Sequence, residues 1–254
     1  MGIGYQFDQG VATLTFDRAD KKNAITGDMY EAVARHLREA SADKAVRAVL
    51  FTGTGSAFTA GNDLKDFADP KFARPDSPVL SFMQGLATFD KPVVAAVNGM
   101  AVGIGVTMLL HCDLVYVSES ATFSMPFVNL GLVPEFGSTL LLPMAAGRVS
   151  AAEKMLLGKP FNAAQAVVMG LANAVLKPAD LLAHALAAAR AFNALPPGAV
   201  RDTKKLLRQA QATLVQDAIL REAGVFGSRL AGPEAREAIA AIREKRKPDF
   251  SRTG

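Results

Sequence analysis

The feature that most limits how this chain can fold is an apolar run near its middle, at residues 92–110. The run approaches the about 20 apolar residues that a transmembrane helix needs. However, Asn98 and Gly99 interrupt it near its centre, and further glycines follow. A break of this kind separates a buried strand from a buried helix. We therefore predict a strand at 93–97, a turn, and a helix that begins near Gly103, rather than a membrane span.

Over most of the chain, strand patterns alternate with helical patterns. Residues 11–16 alternate polar and apolar side chains and are rich in β-branched types, which is typical of a strand. Thr26 suits the N-cap of an amphipathic helix. Such alternation predicts βαβ units with at least partly parallel strands, and therefore an α/β fold. The predicted strands are 11–16, 47–52, 93–97, 113–118 and 173–176, the predicted helices are 26–40, 77–89, 150–157 and 162–169, and 66–78 is a predicted surface loop.

The last third of the chain is rich in alanine and leucine and is predicted to be mostly helical. Pro233 fits the first turn of a helix, where an amide proton is not needed. The Ala-rich faces are narrow and suit packing against one another or against another subunit. We therefore divide the chain into a core domain at 1–195 and a helical region at 196–254. The predicted helices of this part are 179–192, 196–223 and 233–245.

Composition narrows the classes of function. The formal net charge is +4, from 28 basic against 24 acidic residues. This excess is too small to indicate nucleic acid binding, but it suits an anionic small-molecule ligand. The single cysteine, Cys112, cannot form an internal disulfide, which favours a reducing compartment, and the first residues show no signal-peptide pattern. We therefore expect a cytoplasmic protein that binds neither nucleic acid nor membrane.

Several common site motifs are absent from the sequence. The three histidines lie far apart, and no spacing of metal-ligand residues is present, so we expect no metal site. Gly103 and Gly105 begin like a dinucleotide fingerprint, but its third glycine would fall on Met108. The sequence also lacks a phosphate-binding P-loop and a nucleophile-elbow serine.

Two glycine-rich segments remain that bring backbone amides close to a ligand. The first, at 58–64, reads Phe-Thr-Ala-Gly-Asn-Asp-Leu and follows a strand pattern. The second, at 98–105, ends at the start of the predicted buried helix, where free amides and the helix dipole favour a negative oxygen. Taken singly, each segment is better explained as an ordinary tight connection.

Glu135 occupies an unusual place for a carboxylate. It lies on a Pro/Gly turn directly after an apolar segment and ahead of a helical pattern. One carboxylate and a pair of amide donors are the groups that proton transfer next to a carbonyl requires. The alternative is that Glu135 only interacts with free amides at a helix N-terminus.

The glycine-rich segments, together with Cys112-Asp113 and the run Leu-Gly-Leu-Val-Pro at 130–134, resemble the crotonase (enoyl-CoA hydratase/isomerase) superfamily. The resemblance begins near Phe16 and ends near Pro248. It implies a spiral ββα core and a helical C-terminal region for trimerisation, as a homotrimer or a dimer of trimers. It also implies a coenzyme A thioester as the substrate, with no separate cofactor.

The resemblance assigns roles to particular residues. The thioester oxygen would accept hydrogen bonds from the backbone amides of Ala60 and Ile104. Asp63 is expected to be a turn residue rather than a base, and Asn62 to be structural or to contact the ligand through its backbone. The basic residues at 245–247 either contact phosphates of coenzyme A or form a solvated tail. The predicted substrate-contacting residues are Lys22, Ala24, Ala60, Gly61, Asn62, Asp63, Leu64, Gly103, Ile104, Phe127 and Phe136.

Three positions distinguish the reactions of this superfamily. A hydratase holds water between two glutamates, and this chain has Thr107 and Phe127 at those places. Neither side chain can act as a base, so hydration by two carboxylates is poorly supported. Glu135 lies where the Δ3,Δ2-enoyl-CoA isomerase branch keeps its catalytic acid. The resemblance therefore implies an isomerase of fatty acid β-oxidation, in which Glu135 moves a proton from C2 to C4 and apolar neighbours raise its pKa.

Two alternatives stay open at this point. One is another enzyme that works with Glu135 alone, either an enoyl-CoA hydratase (a lyase) or an isomerase of ring-containing acyl-CoAs in aromatic degradation. The other is a non-catalytic protein that binds acyl-CoA. Glu135 argues against the second, because a silent binder has no need of this carboxylate.

Overall fold

The computed structural model describes residues 2–66 and 77–253, and strands and helices alternate within them as predicted. The predicted loop at 66–78 lies almost wholly outside the described residues. The strands are β1 (Ile3–Asp8), β2 (Val11–Phe16), β3 (Ala48–Gly53), β4 (Ala57–Thr59), β5 (Val93–Val97), β6 (Met100–Val102), β7 (Leu114–Ser118), β8 (Thr122–Ser124), β9 (Phe161–Asn162) and β10 (Ala174–Leu176). The α-helices are α1 (Gly27–Ala42), α2 (Pro78–Ala87), α3 (Ile104–Thr107), α4 (Ser138–Ala146), α5 (Arg148–Leu157), α6 (Ala163–Val168), α7 (Pro178–Ala191), α8 (Pro197–Gln209), α9 (Ala212–Leu230) and α10 (Pro233–Arg243).

Two sheets organise the described part of the chain. The larger has the strand order β1-β2-β3-β5-β7-β10, and every neighbouring pair except β1–β2 is parallel. The smaller has the order β4-β6-β8-β9, in which β4, β6 and β8 are parallel. The predicted α/β fold is therefore confirmed, whereas the role of the C-terminal helices in trimerisation and the boundary at 195/196 stay predictions.

The apolar run at 92–110 forms the centre of the larger sheet. All five residues of β5 are buried, as expected of a parallel strand that is covered on both faces. One face packs against α7 through Leu181, Ala185 and Ala189, and the other faces the main core. The predicted strand is thus confirmed. Among the helices that the structure describes, none is both long and apolar enough to cross a membrane.

Two helix predictions differ from the structure. The buried helix near Gly103 is a single turn, α3, and continues as a 3-10 turn at Met108–His111. The helix predicted at 196–223 is two helices, because the amide of Gln211 bonds to the carbonyl oxygen of Arg208 at 3.0 Å and closes a turn between α8 and α9. The sequence prediction lacks strands β4, β6, β8 and β9, since two or three residues are too few to show an alternating pattern. It also lacks the six-residue strand β1, none of whose residues is buried.

Candidate active site

The two glycine-rich segments lie side by side. β4 and β6 are parallel neighbours, so the segments that follow them leave the smaller sheet at the same edge. A Cβ atom on Gly61 would lie 2.7 Å from the carbonyl oxygen of Val102, and one on Gly105 would lie 2.6 Å from Cγ2 of Thr59. Glycine at both positions therefore allows the segments to approach more closely than residues with side chains would.

The available amide donors are not quite those predicted. The amide of Ala60 donates to the carbonyl oxygen of Lys22 at 2.9 Å, so the prediction that Ala60 supplies a donor is wrong. Two residues further on, the amide of Asn62 makes no hydrogen bond within the described part of the chain, and neither does that of Ile104 at the start of α3. The pair of free amides is thus Asn62 and Ile104.

The side chains of Asn62 and Asp63 hold this segment in place. The hydroxyl of Tyr30 donates to Oδ1 of Asn62. Asp63 accepts from Nη1 of Arg18 at 2.9 Å and from the amide of Lys65 at 3.1 Å. Partial burial opposes the charged form of Asp63, but the hydrogen bonds from Lys65 and Arg18 outweigh it and lower the pKa of Asp63. These contacts support the prediction that Asp63 is a turn residue rather than a base.

The loop after β2 contacts the same segment. Besides the bond from Ala60 to Lys22, the hydroxyl of Thr59 donates to the carbonyl oxygen of Asn23 at 2.7 Å. The side chain of Lys22 is exposed, and Ala24 is partly buried. These residues therefore lie next to the segment that carries the free amide of Asn62, and their contact with coenzyme A stays a prediction.

The basic residues at 245–247 are partly engaged with neighbouring carboxylates. Arg246 donates to Glu237 through Nη2 at 3.0 Å and to Glu244 through Nε at 2.5 Å. These ion pairs favour a structural role for Arg246. Contact of the two flanking lysines with phosphate stays a prediction.

Glu135 is buried and faces α3. Its side chain lies in the turn before α4, it is 3% exposed, and Oε1 accepts a hydrogen bond from the hydroxyl of Thr107 at 2.8 Å. Burial raises the pKa of Glu135 to about 8; the Thr107 hydrogen bond opposes this rise, and the nearby charge of Glu222 adds to it. A carboxyl group with such a pKa can both take and return a proton near neutral pH.

The raised pKa of Glu135 predicts opposite pH dependences for activity and stability. A base must be ionised, so kcat/KM should rise with pH and level off above about 8. The folded state instead favours the protonated carboxyl, so the stability contributed by this group is full below 4.5 and is lost as pH rises through about 8. We expect the melting temperature of the Glu135→Gln variant to fall less than that of the wild type over this range, as measured by calorimetry.

Replacing Thr107 with valine is expected to change activity through Glu135. Valine has the same shape but cannot donate to Oε1, so the ionised form of Glu135 loses a stabilising partner. A hydrogen bond to a charged group is worth about 1.5–3 kcal/mol, so the activity midpoint should move to higher pH by about one unit or more. Rates measured across pH should therefore recover towards wild type in alkaline buffer. An equal loss at every pH would contradict this role of Thr107.

The turn after Glu135 has an unusual backbone. Phe136 has φ +68 and Gly137 has φ +70, both in the left-handed region. For a bulky residue such as Phe136 this costs about 1–3 kcal/mol, so surrounding contacts must maintain it. The ring of Phe136 stacks on His111 with centroids 4.0 Å apart, and Nε2 of His111 donates to the carbonyl oxygen of Phe136 at 2.7 Å. Nothing in the local sequence of His111 indicates these contacts.

Phe127, one of the predicted substrate-contacting residues, lies beside the start of α3. It is 5% exposed, and its ring lies 3.8 Å from where a Cβ on Gly103 would be. The structure therefore places Phe127 beside the segment that carries Ile104, where it supplies apolar surface. Phe136, by contrast, is fully buried between His111 and Phe82, and its predicted contact with the substrate stays a prediction.

The candidate metal ligands and the cysteine lie in surroundings that favour structural roles. Within residues 2–66 and 77–253, no group of three or more His, Cys, Asp or Glu side chains is arranged to hold a metal ion. Burial raises the pKa of the Cys112 thiol to about 12, which disfavours a nucleophilic role.

The chain belongs to the enoyl-CoA hydratase/isomerase family, whose sequence model matches residues 6–253. This confirms the predicted crotonase resemblance, including its likeness to enoyl-CoA isomerases. The chain is 38% identical over 214 residues to enoyl-CoA delta isomerase 2 of Rattus norvegicus, covering 82% of this chain and 54% of that protein. It is 35% identical over 253 residues to the 1,2-epoxyphenylacetyl-CoA isomerase of Escherichia coli K12, covering 96% of both. The solved structure of Pseudomonas aeruginosa OdaA is similar with a TM-score of 0.92 and 50% identity, covering 94% of this chain and 98% of that one.

The mammalian relatives are longer than this chain. The chain spans 54% to 65% of the length of the mammalian enoyl-CoA delta isomerases that it matches.

Proposed function

We propose that this protein is a Δ3,Δ2-enoyl-CoA isomerase of fatty acid β-oxidation that acts on acyl-CoA thioesters. The observation that carries the proposal is the buried carboxylate of Glu135, which is bonded to Thr107 on α3. The free amide of Ile104 opens the same helix, and Gly105 brings that helix against the segment that carries Asn62. A lone acid with a raised pKa and two amide donors are the groups that this reaction requires.

The mechanism needs only these groups. Ionised Glu135 removes a proton from C2 of a 3-enoyl thioester, and the electron pair moves into the thioester carbonyl to give a dienolate. The amides of Asn62 and Ile104 donate to the dienolate oxygen. Protonated Glu135 then returns the proton to C4, and the double bond moves between C2 and C3. The proton and the electrons stay within the substrate and Glu135, so we propose that coenzyme A arrives with the substrate and that no separate cofactor is used.

Hydration is less well supported than isomerisation. Addition of water by the usual route needs two carboxylates, and Thr107 and Phe127 stand in their places. The Thr107 hydroxyl instead donates to Glu135, which leaves that acid to act alone.

An isomerase of ring-containing acyl-CoAs is the second candidate. The match to the 1,2-epoxyphenylacetyl-CoA isomerase of E. coli covers 96% of this chain, whereas the match to the rat enoyl-CoA delta isomerase 2 covers 82%. Its chemistry would use the same carboxylate and the same amides, so the two candidates differ in the acyl group rather than in the catalytic residues.

We also propose that the protein forms a homotrimer or a dimer of trimers and works in the cytoplasm. Leu206 and Leu207 on α8, and Leu214 and Leu220 on α9, are each more than half exposed. Exposed large apolar side chains on these two consecutive helices support association between subunits.

The test is to supply purified protein with 3-enoyl-CoA and 2-enoyl-CoA separately. Formation of the conjugated 2-enoyl thioester is followed by ultraviolet absorbance, and hydration by its loss. We expect rapid conversion of 3-enoyl-CoA and slow hydration of 2-enoyl-CoA. Rapid hydration would contradict the isomerase assignment. Conversion of neither substrate would also contradict it, and would favour the ring-containing acyl-CoAs or a non-catalytic binder.

A further inference from the structure

A carboxylate from the C-terminal helices holds the turn that carries Glu135. Glu222 lies on α9 and is 7% exposed. Its Oε2 accepts from the amide of Gly137 at 2.6 Å, and its Oε1 accepts from the amide of Thr139 at 2.9 Å and from the Thr139 hydroxyl at 2.5 Å. Both oxygens of Glu222 are therefore engaged by the residues that lead from Glu135 into α4.

Two buried side chains hold the same peptide group. The carbonyl oxygen of Phe136 and the amide of Gly137 belong to one peptide bond, directly after Glu135. His111 donates to that carbonyl oxygen at 2.7 Å, and Glu222 accepts from that amide at 2.6 Å. Because a trans peptide group is planar, bonds to both of its polar atoms fix its orientation.

This double attachment acts where the backbone is strained. Phe136 and Gly137 both have left-handed φ angles, which persist only when the surroundings determine them. Gly137 also packs against α9, where an added Cβ would lie 3.5 Å from Cγ1 of Ile219. A buried acid at a helix N-terminus stabilises the helix, but α4 could gain that benefit from a carboxylate of its own first turn. The contacts from two other elements instead fix the residue next to Glu135.

We propose that Glu222 and His111 are positioning residues that clamp the Phe136–Gly137 peptide and so hold the Glu135 carboxylate where it can reach both C2 and C4 of the substrate. This inference rests on the proposed isomerase function. Proton transfer between two carbons is sensitive to the position of the acid, and a displacement of about 1 Å can cost about 10²-fold in rate.

The charged groups around the Phe136–Gly137 peptide determine how each variant should change the pKa of Glu135. Glu222 faces Glu135, and its negative charge contributes to the raised pKa of Glu135. Arg221 adjoins Glu222, while Arg208 and Lys204 face His111. Burial lowers the pKa of His111 to about 4, so the His111 ring is neutral at neutral pH. Removing the charge of Glu222 should therefore lower the pKa of Glu135, whereas replacing neutral His111 removes only a hydrogen bond.

The test compares Glu222→Gln and His111→Phe with Asp217→Asn, which removes an exposed carboxylate from the same helix. Glutamine keeps the shape of Glu222 but offers one acceptor oxygen, and phenylalanine keeps the stacked ring but cannot donate. We expect both variants to lower kcat for 3-enoyl-CoA by about 10–100-fold with KM changed by less than about three-fold. The activity midpoint should move to lower pH in Glu222→Gln only, and Asp217→Asn should match the wild type.

A second measurement does not depend on activity. Hydrogen exchange of the Gly137 amide, followed by NMR, should become at least about ten-fold faster in Glu222→Gln, because this amide loses its charged acceptor. Wild-type protein that fails to isomerise 3-enoyl-CoA would overturn the proposed function, while the exchange rates would still test the clamp. Folded variants with unchanged exchange, or with lower melting temperatures but unchanged kcat and pH midpoint, would overturn the positioning role. Should Glu222→Gln not fold, His111→Phe alone decides the same question through kcat.

Discussion

Replacing Glu135 with glutamine is expected to lower kcat for the conversion of 3-enoyl-CoA to 2-enoyl-CoA by about 10²–10⁴-fold. Glutamine has the same shape and its amide oxygen can still accept from Thr107, but it cannot take a proton from C2. The amides of Asn62 and Ile104 are untouched, so KM should change by less than about three-fold. The measurement is steady-state absorbance of the conjugated product, with both proteins at the alkaline plateau of the wild type.

The matched control for this change is Glu119→Gln. Glu119 lies in the exposed turn after β7, so the substitution makes the same chemical change away from the site. We expect wild-type rates for it. A folded Glu135→Gln protein that keeps most of its activity would contradict the single-base mechanism, because glutamine cannot take up the proton that the dienolate step releases.

Patterns within a few residues were enough to predict five of the six strands of the larger sheet and the two glycine-rich segments. The strand at 93–97 followed from an unbroken apolar run bounded by a proline and an Asn-Gly turn. The segments at 58–64 and 98–105 followed from glycines that the structure indeed needs, since side chains at Gly61 and Gly105 would collide with the opposite segment. These features depend on local backbone conformation and on burial, which neighbouring residues determine.

The choice of amide donor could not be made in this way. Ala60 and Asn62 both lie in the first glycine-rich segment, and only the fold shows that the carbonyl oxygen of Lys22 already accepts from Ala60. That carbonyl belongs to a loop 38 positions earlier in the chain, and no local pattern indicates which amide it will meet. The resemblance identified the segment, and the hydrogen bonds of the folded chain identified the residue.

Sequence patterns also could not predict which residues contact Glu135 and the turn that carries it. Thr107 is 28 positions away from Glu135 in the sequence, and Glu222 is 85 positions away from Gly137. In the sequence, Glu222 is one charged residue of a long helical pattern and would be expected to face solvent. It is buried because α9 packs against α4, so its role follows from the packing of two helices.

Replacing Gly61 with alanine is expected to lower kcat by about 10²–10³-fold, comparable to the loss of one oxyanion donor. Gly61 has φ +83, which side chains disfavour, and the new Cβ would lie 2.7 Å from the carbonyl oxygen of Val102. Because Val102 ends β6, which is fixed in the smaller sheet, the segment that carries Asn62 must move away. The amides of Asn62 and Ile104 would then no longer meet the same oxygen.

Gly85→Ala is the control, since Gly85 lies in α2 and a Cβ there meets no described atom within 4 Å. Alanine is also the better helix former, so this variant should keep the wild-type rate and be slightly more stable. The activity midpoint of Gly61→Ala should stay at that of the wild type, because the contacts of Glu135 with Thr107 are unchanged. A folded Gly61→Ala protein with the wild-type kcat would show that the dienolate oxygen does not depend on the amide of Asn62, and the two-amide site would have to be abandoned.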